Sequence, residues 1–157
     1  KKSDWTAYCR RMAEKPTKVR YTSRSLERHI LAPRAHAWPV FLAALEAGVG
    51  GYVVEGDPAP HGAGAVLHLH LNDAADPLVE TVLSFEPPWR RSYKVEGDMP
   101  LDFYEGTFVF RDDGDECHLS WGVVVDPEPT EAGWEFLEFA MAFIGGFMDQ
   151  VVELAQA

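Results

Sequence analysis

The chain has 157 residues, of which 46% are hydrophobic and 25% charged, so its length and composition suit one globular domain with a sizeable core. Its formal net charge of −11 at pH 7 repels nucleic-acid phosphates and anionic membrane surfaces. No segment approaches the about 20 uninterrupted apolar residues of a membrane span, and Lys1 to Arg20 lack the apolar centre of a signal peptide. We therefore expect a cytoplasmic protein that neither binds nucleic acid nor spans a membrane.

Residues 1–20 are interpreted as an N-terminal extension and residues 21–157 as one domain. Within the extension, Asp4 to Glu14 has the spacing of a short amphipathic helix, which Pro16 ends. The residues from Val19 to Ile30 are extended in character and predict the first strand. No internal repeat and no linker divides the domain further.

A helix, a short strand and a loop are predicted after the first strand. Pro33 stands where a helix tolerates proline, at its start, and the glycine run from Gly48 to Gly51 ends the helix. Pro39 lies either in the first turn of this helix or between two short helices. Tyr52 to Glu55 predicts the short strand, and Asp57 to Gly64 predicts the loop.

Five further segments have the apolar and polar alternation of β-strands. The acidic run from Asp112 to Asp115 contains the Asp-Gly pair typical of hairpin turns, and Pro87-Pro88 marks another tight connection. Short turns between successive strands predict an antiparallel meander. The five segments are Ala65–Leu71, Leu78–Phe85, Trp89–Glu96, Phe103–Arg111 and Cys117–Val125.

The final segment, Glu131 to Ala157, predicts one long helix that Thr130 caps. Its apolar residues form two stripes at helical spacing, so the helix is apolar on nearly every side and must be enclosed. A curved sheet wrapped around this helix would enclose it, and large rings that pack imperfectly would leave a cavity for an apolar ligand. The first stripe is Trp134, Leu137, Met141, Ile144, Met148 and Val151, and the second is Phe136, Phe139, Phe143 and Phe147.

Three segments of the chain carry a resemblance to known proteins. They are LERHILAPRAHAWPVF (Leu26–Phe41), VETVLSFEPPWRRSYKVEG (Val79–Gly97) and YEGTFVFRDDGDECHLSWGVVVDP (Tyr104–Pro127). From Tyr21 onwards the chain resembles the START-like superfamily of polyketide cyclases, aromatase/cyclases and birch-pollen-allergen-like lipid binders. The resemblance implies an α+β helix-grip fold, in which a curved antiparallel sheet wraps around a long C-terminal helix.

This resemblance implies ligand binding more than any one reaction, because enzymes, carriers, receptors and co-chaperones share the fold. We predict a domain that binds a lipid- or polyketide-like hydrophobic molecule between the sheet and the final helix. One alternative is an aromatase/cyclase or dehydratase, which several separated acids in the pocket would favour. Another is a co-chaperone-type interaction domain, which a collapsed cavity and a broad exposed apolar patch would favour. No catalytic residue is assigned, and a homodimer is left open.

Strand alternation predicts which side chains face the ligand. It turns Val79, Thr81 and Trp89 inward and sets Glu80 on the solvated convex face of the sheet. Arg91 would then orient a ligand carboxylate or polarise a carbonyl or enolate oxygen, unless its head reaches solvent or pairs with an interior acid. The predicted ligand-binding residues are Leu83, Phe85, Arg91, Tyr93, Tyr104, Phe108, Trp121, Phe143 and Phe147.

His68 and His70 form an H-x-H pair that suggests a metal site. Zinc would need further ligands, for which His61, Asp73 and Asp76 are the nearby candidates. We interpret the pair instead as two histidines on the solvated face of a strand. The sequence therefore predicts no metal and no cofactor.

Two cysteines and one acid are the remaining candidates for chemistry. Cys9 and Cys117 lie far apart in a chain large enough to have its own core, which favours reduced thiols. Cys117 is interpreted as a small buried strand residue. Asp149 stands on an otherwise apolar helix, where it is either a general base or, as we expect, an exposed residue near the helix end.

Overall fold

The structure, a computed structural model, describes residues 17–71 and 76–157. The predicted helix at Asp4–Glu14 lies outside the described residues, and so do Cys9 and Asp73. The described elements are β1 (Thr22–Ile30), α1 (Arg34–Val49), β2 (Val66–Leu69), β3 (Leu78–Glu86), β4 (Arg90–Glu96), β5 (Tyr104–Asp113), β6 (Glu116–Val125) and α2 (Glu131–Gln156).

The six strands form one antiparallel sheet in the order β1-β6-β5-β4-β3-β2. Strands β2 to β6 pair with their sequence neighbours as the predicted meander requires, and β1 pairs with β6 along its whole length. Helix α2 packs against β1 and α1. The sheet is curved around this long C-terminal helix, which confirms the α+β helix-grip fold.

Helix α1 is continuous, with Pro39 inside it, so the prediction of two short helices does not apply. It ends at Gly50, whose φ of 78° is readily adopted by glycine, and the N–H of Gly51 donates to the carbonyl of Glu46 at 3.0 Å. The prediction of a strand at Tyr52–Glu55 is wrong, because only a single bridge joins Val54 to Val66 there.

Alternation along β4, β5 and β6 follows the prediction. Every second side chain is buried on the concave face, and the intervening ones are polar or partly exposed. These strands therefore form the inner wall of the grip, as expected for an antiparallel sheet with one solvated face. The buried positions are Arg91, Tyr93, Val95, Tyr104, Gly106, Phe108, Phe110, Cys117, Leu119, Trp121, Val123 and Val125.

The predicted phase of β3 is wrong over most of the strand. Glu80 and Val82 are 4% and 2% exposed on the inner face, whereas Leu83 is 42% exposed and Val79 and Thr81 face outward with it. A register shift between Val82 and Ser84 reverses the alternation. The shift explains how Phe85 still faces inward and packs against the core, as predicted.

Trp89 was also predicted to face inward, and that prediction is wrong. It lies in the turn before β4 begins, so strand alternation does not govern it, and its side chain is half exposed. The guanidinium carbon of Arg34 lies 2.9 Å from the centre of the Trp89 ring. The indole therefore covers the start of α1 from outside the sheet.

Helix α2 begins at the predicted cap, where the Thr130 hydroxyl accepts the N–H of Gly133 at 3.1 Å. Its stripe through Leu137 and Ile144 is buried, but Phe139 and Phe143 on the second stripe are 44% and 63% exposed. The prediction that the helix is enclosed on nearly every side is therefore wrong, because the sheet and α1 cover only part of its circumference. None of the helices in the described part of the chain is long and apolar enough to cross a membrane.

Candidate functional site

Aromatic rings fill one end of the space between sheet and helices. Phe41 of α1 packs on Phe108 with their ring centroids 4.2 Å apart, and Trp38 lies 5.6 Å from Phe110 and 5.8 Å from Phe85. These rings pack against one another in the hydrophobic core. The predicted ligand-binding residues Phe85 and Phe108 are thus part of the packed core.

A cavity of about 240 Å³ lies beside these rings, between the inner face of the sheet, the last turns of α1 and the middle of α2. Most of its lining is apolar, as in ligand sites generally, and a few polar groups converge on it. The apolar lining is Leu45, Val49, Leu69, Leu71, Leu78, Val95, Phe136, Phe139, Ala140, Phe143, Ile144 and Phe147, while the other lining residues are Gly48, His68, His70, Glu80, Tyr93, Tyr104 and Trp121.

Five of the nine predicted ligand-binding residues line this cavity. The five are Tyr93, Tyr104, Trp121, Phe143 and Phe147. Leu83, Phe85, Arg91 and Phe108 do not line it: Leu83 is exposed on the outer side of the sheet, and Arg91 is completely buried behind Glu80. Sequence alternation thus predicted the buried face of β4, β5 and β6 correctly, although Arg91 and Phe108 on that face do not line the cavity, and it failed over most of β3.

Tyr93 is held in a fixed position across the sheet. It faces Gly106 on β5, and a β-carbon on Gly106 would overlap the Tyr93 ring, so the ring lies directly over the glycine backbone. The indole Nε1 of Trp121 donates to the Tyr93 hydroxyl at 2.9 Å. Glycine on β5 and indole on β6 therefore determine together how the phenol reaches the cavity.

Both tyrosines remain protonated over the physiological range. Burial raises the pKa of Tyr93 well above 10, and the neighbouring Tyr104 and Glu80 raise it further. Burial and the charge of Glu80 also raise the pKa of Tyr104, to about 12, against the opposing effect of its hydrogen bond with Tyr93. The cavity wall therefore presents phenols that can donate a hydrogen bond at neutral pH.

Glu80 and Arg91 form a buried ion pair at the polar end of the cavity. Arg91 Nη2 lies 2.7 Å from Glu80 Oε1, and the two side chains are 0% and 6% exposed. Arg91 Nε and Nη1 have no hydrogen-bond partner among the described residues, so the contact between Nη2 and Glu80 Oε1 is the main polar contact of the guanidinium there. Burial raises the pKa of Glu80, and the positive charge of Arg91 opposes that rise.

Glu80 is the cavity-lining acid that sequence reasoning placed on the wrong face of the sheet. The sequence offered one signal for it, since a buried Arg91 requires a partner and an interior acid was one of the three alternatives. Placing Glu80 there required knowing that β3 contains a register shift, because a regular strand from Phe85 back to Leu78 turns Glu80 outward.

Four candidates for chemistry remain, of which two line the cavity and two do not. His68 and His70 line the cavity with their ring centroids 6.4 Å apart, and among the described residues they belong to no cluster with metal-ligand spacing. Cys117 is buried, as expected, and burial raises the pKa of its thiol, which disfavours the reactive thiolate. Asp149 is an exposed residue paired with Arg28 at 2.6 Å, as expected.

Solved structures similar to this chain share its fold at low sequence identity. Ara h 8.0201 is 11% identical with a TM-score of 0.67, and the match covers 87% of this chain and 98% of that one. Norcoclaurine synthase from Thalictrum flavum, a point mutant in complex with a transition-state analogue, is 14% identical with a TM-score of 0.60, covering 88% and 97%. The Aha1 dimer from Colwellia psychrerythraea is 9% identical with a TM-score of 0.65, covering 86% and 96%.

Sequence comparison gives a family but no individual relative. No curated protein matches the chain. Residues 16–156, nearly the whole chain, match the sequence profile of the family described as polyketide cyclase/dehydrase and lipid transport. That match and the helix-grip fold agree with the resemblance drawn from Leu26–Phe41, Val79–Gly97 and Tyr104–Pro127. The chain therefore belongs to the polyketide cyclase/dehydrase and lipid transport family.

Proposed function

We propose that this protein binds one small hydrophobic molecule, lipid- or polyketide-like in character, in the cavity between the sheet and α2. The observation that carries the proposal is the cavity itself, about 240 Å³ of space with an apolar lining and a polar end at Glu80 and Tyr104. This volume is below the roughly 300–1,000 Å³ of most ligand pockets. A compact ring or a short chain suits it better than a long acyl chain.

Binding is favoured over catalysis by the sparse chemistry of the lining. Glu80 is its one carboxylate among the described residues, so the several separated acids expected for a cyclase are missing there. Binding is also favoured over a purely protein-interacting role, because the cavity has not collapsed. The exposed Phe139 and Phe143 line the same cavity, which makes them part of its mouth rather than a separate docking patch.

The size of the cavity sets the affinity to expect. Burying a chain of about eight carbons contributes at most about 6 kcal/mol at about 0.8 kcal/mol per methylene. That energy corresponds to a Kd on the order of 10⁻⁵ to 10⁻⁴ M for a simple aliphatic probe. The natural ligand would exceed this affinity through its shape and its polar group. A cytoplasmic location belongs to this proposal as well.

Two alanines on α2 allow a matched test. Ala140 lines the cavity, whereas Ala142, two residues away, lines only the open groove between α1 and α2. We expect Ala140→Leu to weaken binding of the neutral dye N-phenyl-1-naphthylamine at least about ten-fold in a fluorescence titration, with Ala142→Leu close to wild type. Equal binding by wild type and Ala140→Leu would contradict the cavity as the site. Loss in Ala142→Leu alone would place the dye in the groove instead.

A further inference from the structure

The first inference concerns the polar group that a ligand meets inside the cavity. Glu80 lies on the cavity wall and is 4% exposed. Its carboxylate offers about four lone-pair sites, and the contact with Arg91 Nη2 at Oε1 occupies one of them. Acceptor capacity is therefore available on the wall of a mostly apolar cavity.

The positive member of the pair does not reach the cavity. Arg91 is completely buried, and its guanidinium carbon lies 5.4 Å from the Tyr93 ring centroid and 5.7 Å from that of Phe108. Glu80 lies on its remaining side. A ligand in the cavity thus meets the acceptor of the ion pair and not its donor, which reverses the role predicted for Arg91.

The charges of Glu80 and Arg91 limit which chemical groups of a ligand can lie beside Glu80. A ligand carboxylate that reached Glu80 would be repelled by it, because Arg91 does not line the cavity and like charges repel strongly in a poorly solvated space. A second cation would have to lose its hydration beside a pair that is already neutral. A neutral group with an O–H avoids both costs and donates to Glu80, whose carboxylate has more acceptor sites than the contact with Arg91 occupies.

Resting on the proposed function, we propose that the cavity selects a hydrophobic molecule carrying a neutral hydroxyl, an alcohol or a phenol, which donates to Glu80. The phenol of Tyr104 also lines the cavity and has an O–H that can donate to a ligand oxygen. Selection by one donor exceeds what an apolar wall provides, because methylene contacts carry little direction.

The isomers octan-1-ol and 1-methoxyheptane test this proposal, because they match in size and differ in the O–H donor. We expect wild type to bind octan-1-ol at least about ten-fold more tightly than 1-methoxyheptane, because only the alcohol can donate a hydrogen bond to a charged acceptor. Both affinities are measured by displacement of N-phenyl-1-naphthylamine. Octanoate at pH 8 should compete more weakly than either. Equal affinity for alcohol and ether, or tighter binding of octanoate, would overturn the proposal while dye binding kept the proposed function intact.

A double variant controls for folding, since removing one member of a buried ion pair leaves the other unpaired. Glu80→Leu combined with Arg91→Met replaces the pair by apolar side chains of similar volume. We expect this variant to bind both isomers within about two-fold of each other, because the acceptor is gone. A preserved preference for the alcohol in the double variant would show that another group selects it. Absence of dye binding by wild type would instead remove the proposed function.

A second, independent inference concerns the surface where β1 meets the β5–β6 hairpin. His29 and His118 face each other across β1 and β6, and their rings stack at 4.7 Å with an interplanar angle of 15°. Asp113 Oδ2 lies 3.0 Å from His118 Nε2, and Glu116 Oε2 lies 2.6 Å from His29 Nε2. Two imidazoles and two carboxylates thus converge from three strand segments.

The geometry points to a site for a divalent transition-metal ion, zinc in particular. One ligand atom each from His29, Asp113 and His118 lies within 4.8 Å of the other two. Zinc takes nitrogen and oxygen ligands at roughly 2.0–2.2 Å, so these atoms need to approach slightly, which their partly exposed side chains permit. Glu116, whose carboxylate contacts His29 Nε2, would orient the His29 ring.

A metal ion at this site would contradict the prediction that the protein is metal-free. That prediction considered only His68 and His70 of the H-x-H pair and the acids and histidine near them in sequence. His29 and His118 are 89 positions apart, and only the pairing of β1 with β6 brings them together. Magnesium should not bind, because it prefers carboxylate and water oxygens in octahedral geometry over imidazole.

Calorimetric titration of the untagged protein with zinc chloride at pH 7.5 tests this site. We expect one zinc ion per chain, with affinity reduced at least about ten-fold in His29→Gln and in His118→Gln. His68→Gln combined with His70→Gln is the matched control and should bind like wild type. No zinc binding by wild type, or loss of binding only in the His68 and His70 variant, would overturn the assignment.

Discussion

At the scale of single residues, Arg91 shows that the face of a side chain can be predicted correctly while its binding partner is not. Alternation along β4 placed Arg91 inside, and it is inside, completely buried. Its target could not be read from β4, because a buried guanidinium binds whichever anion the rest of the fold supplies. The register shift of β3 brings Glu80 to Arg91, so the guanidinium pairs with a side chain of the protein. In our proposal it is Glu80, and not Arg91, that contacts the ligand.

Arg91→Met should destabilise the protein in a pH-dependent way. Without Arg91 the burial of Glu80 raises the pKa of that carboxyl unopposed, so the folded state binds the proton more tightly than the unfolded state. Stability is then greatest below the unfolded value of about 4.5 and falls as pH rises above it. In urea unfolding at pH 8 we expect a loss of about 3–5 kcal/mol, and a smaller loss at pH 5.

The double variant Glu80→Leu with Arg91→Met is the control for that measurement. It removes both charges, so its stability should return close to wild type and lose the added pH dependence. An Arg91→Met variant equally destabilised at pH 5 and pH 8 would mean that lost packing, rather than the unpaired acid, accounts for the effect.

Gly106→Ala tests the close contact that positions Tyr93. The added methyl group would overlap the Tyr93 ring, so either the ring or the strand must move. We expect a loss of about 1–3 kcal/mol in the free energy of unfolding, typical of overpacking. Gly122→Ala is the matched control on β6, where the nearest atom to a new β-carbon is the Arg24 carbonyl oxygen at 3.8 Å. Comparable losses in both variants would show that strand glycines, and not the Tyr93 contact, matter.

At the scale of elements, features that depend only on residues close in sequence, such as helix caps and hairpin turns, were predicted correctly. Thr130 caps α2 and the Asp-Gly turn joins β5 to β6, because each signal and its consequence lie within a few residues. The strand expected at Tyr52–Glu55 failed for the opposite reason. Val53 and Val54 are exposed, so pairing this segment into the sheet would bury no apolar face. Whether a segment with strand-like residues forms a strand depends on such packing.

Adjacent residues on α2 should respond very differently to truncation. Ile144 is 4% exposed and belongs to the buried stripe, whereas Phe143 is 63% exposed at the cavity mouth. We expect Ile144→Ala to lower the free energy of unfolding by about 2–5 kcal/mol and Phe143→Ala by less than about 1 kcal/mol. Chemical denaturation of the two variants measures this difference. A large loss in Phe143→Ala would restore the sequence-based view that the helix is enclosed on every side.

At the scale of the whole molecule, the fold was predictable and the site only in part. The order of elements and the apolar final helix sufficed for the helix grip, because few arrangements bury so long an apolar helix. Cavity residues on β5, β6 and α2 followed from regular periods, as Tyr104, Trp121 and Phe147 show. Long-range facts did not follow: the ring of Phe41 that covers Phe108, and the pairing that joins His29 to His118, exist only once the chain has folded.

Ligand binding should also appear as stabilisation of the entire domain. A ligand that binds only the folded state at about ten times its Kd adds about 1.4 kcal/mol to the free energy of unfolding. For a chain of 157 residues this corresponds to a rise in Tm of about 3–6 °C. Thermal unfolding with octan-1-ol measures the rise, and Ala140→Leu should show none because its cavity is filled. Since the alcohol also acts on the unfolded chain equally in both proteins, the difference between their shifts isolates the cavity. Equal shifts would mean that the stabilising molecule lies elsewhere, for example in the groove beside Ala142.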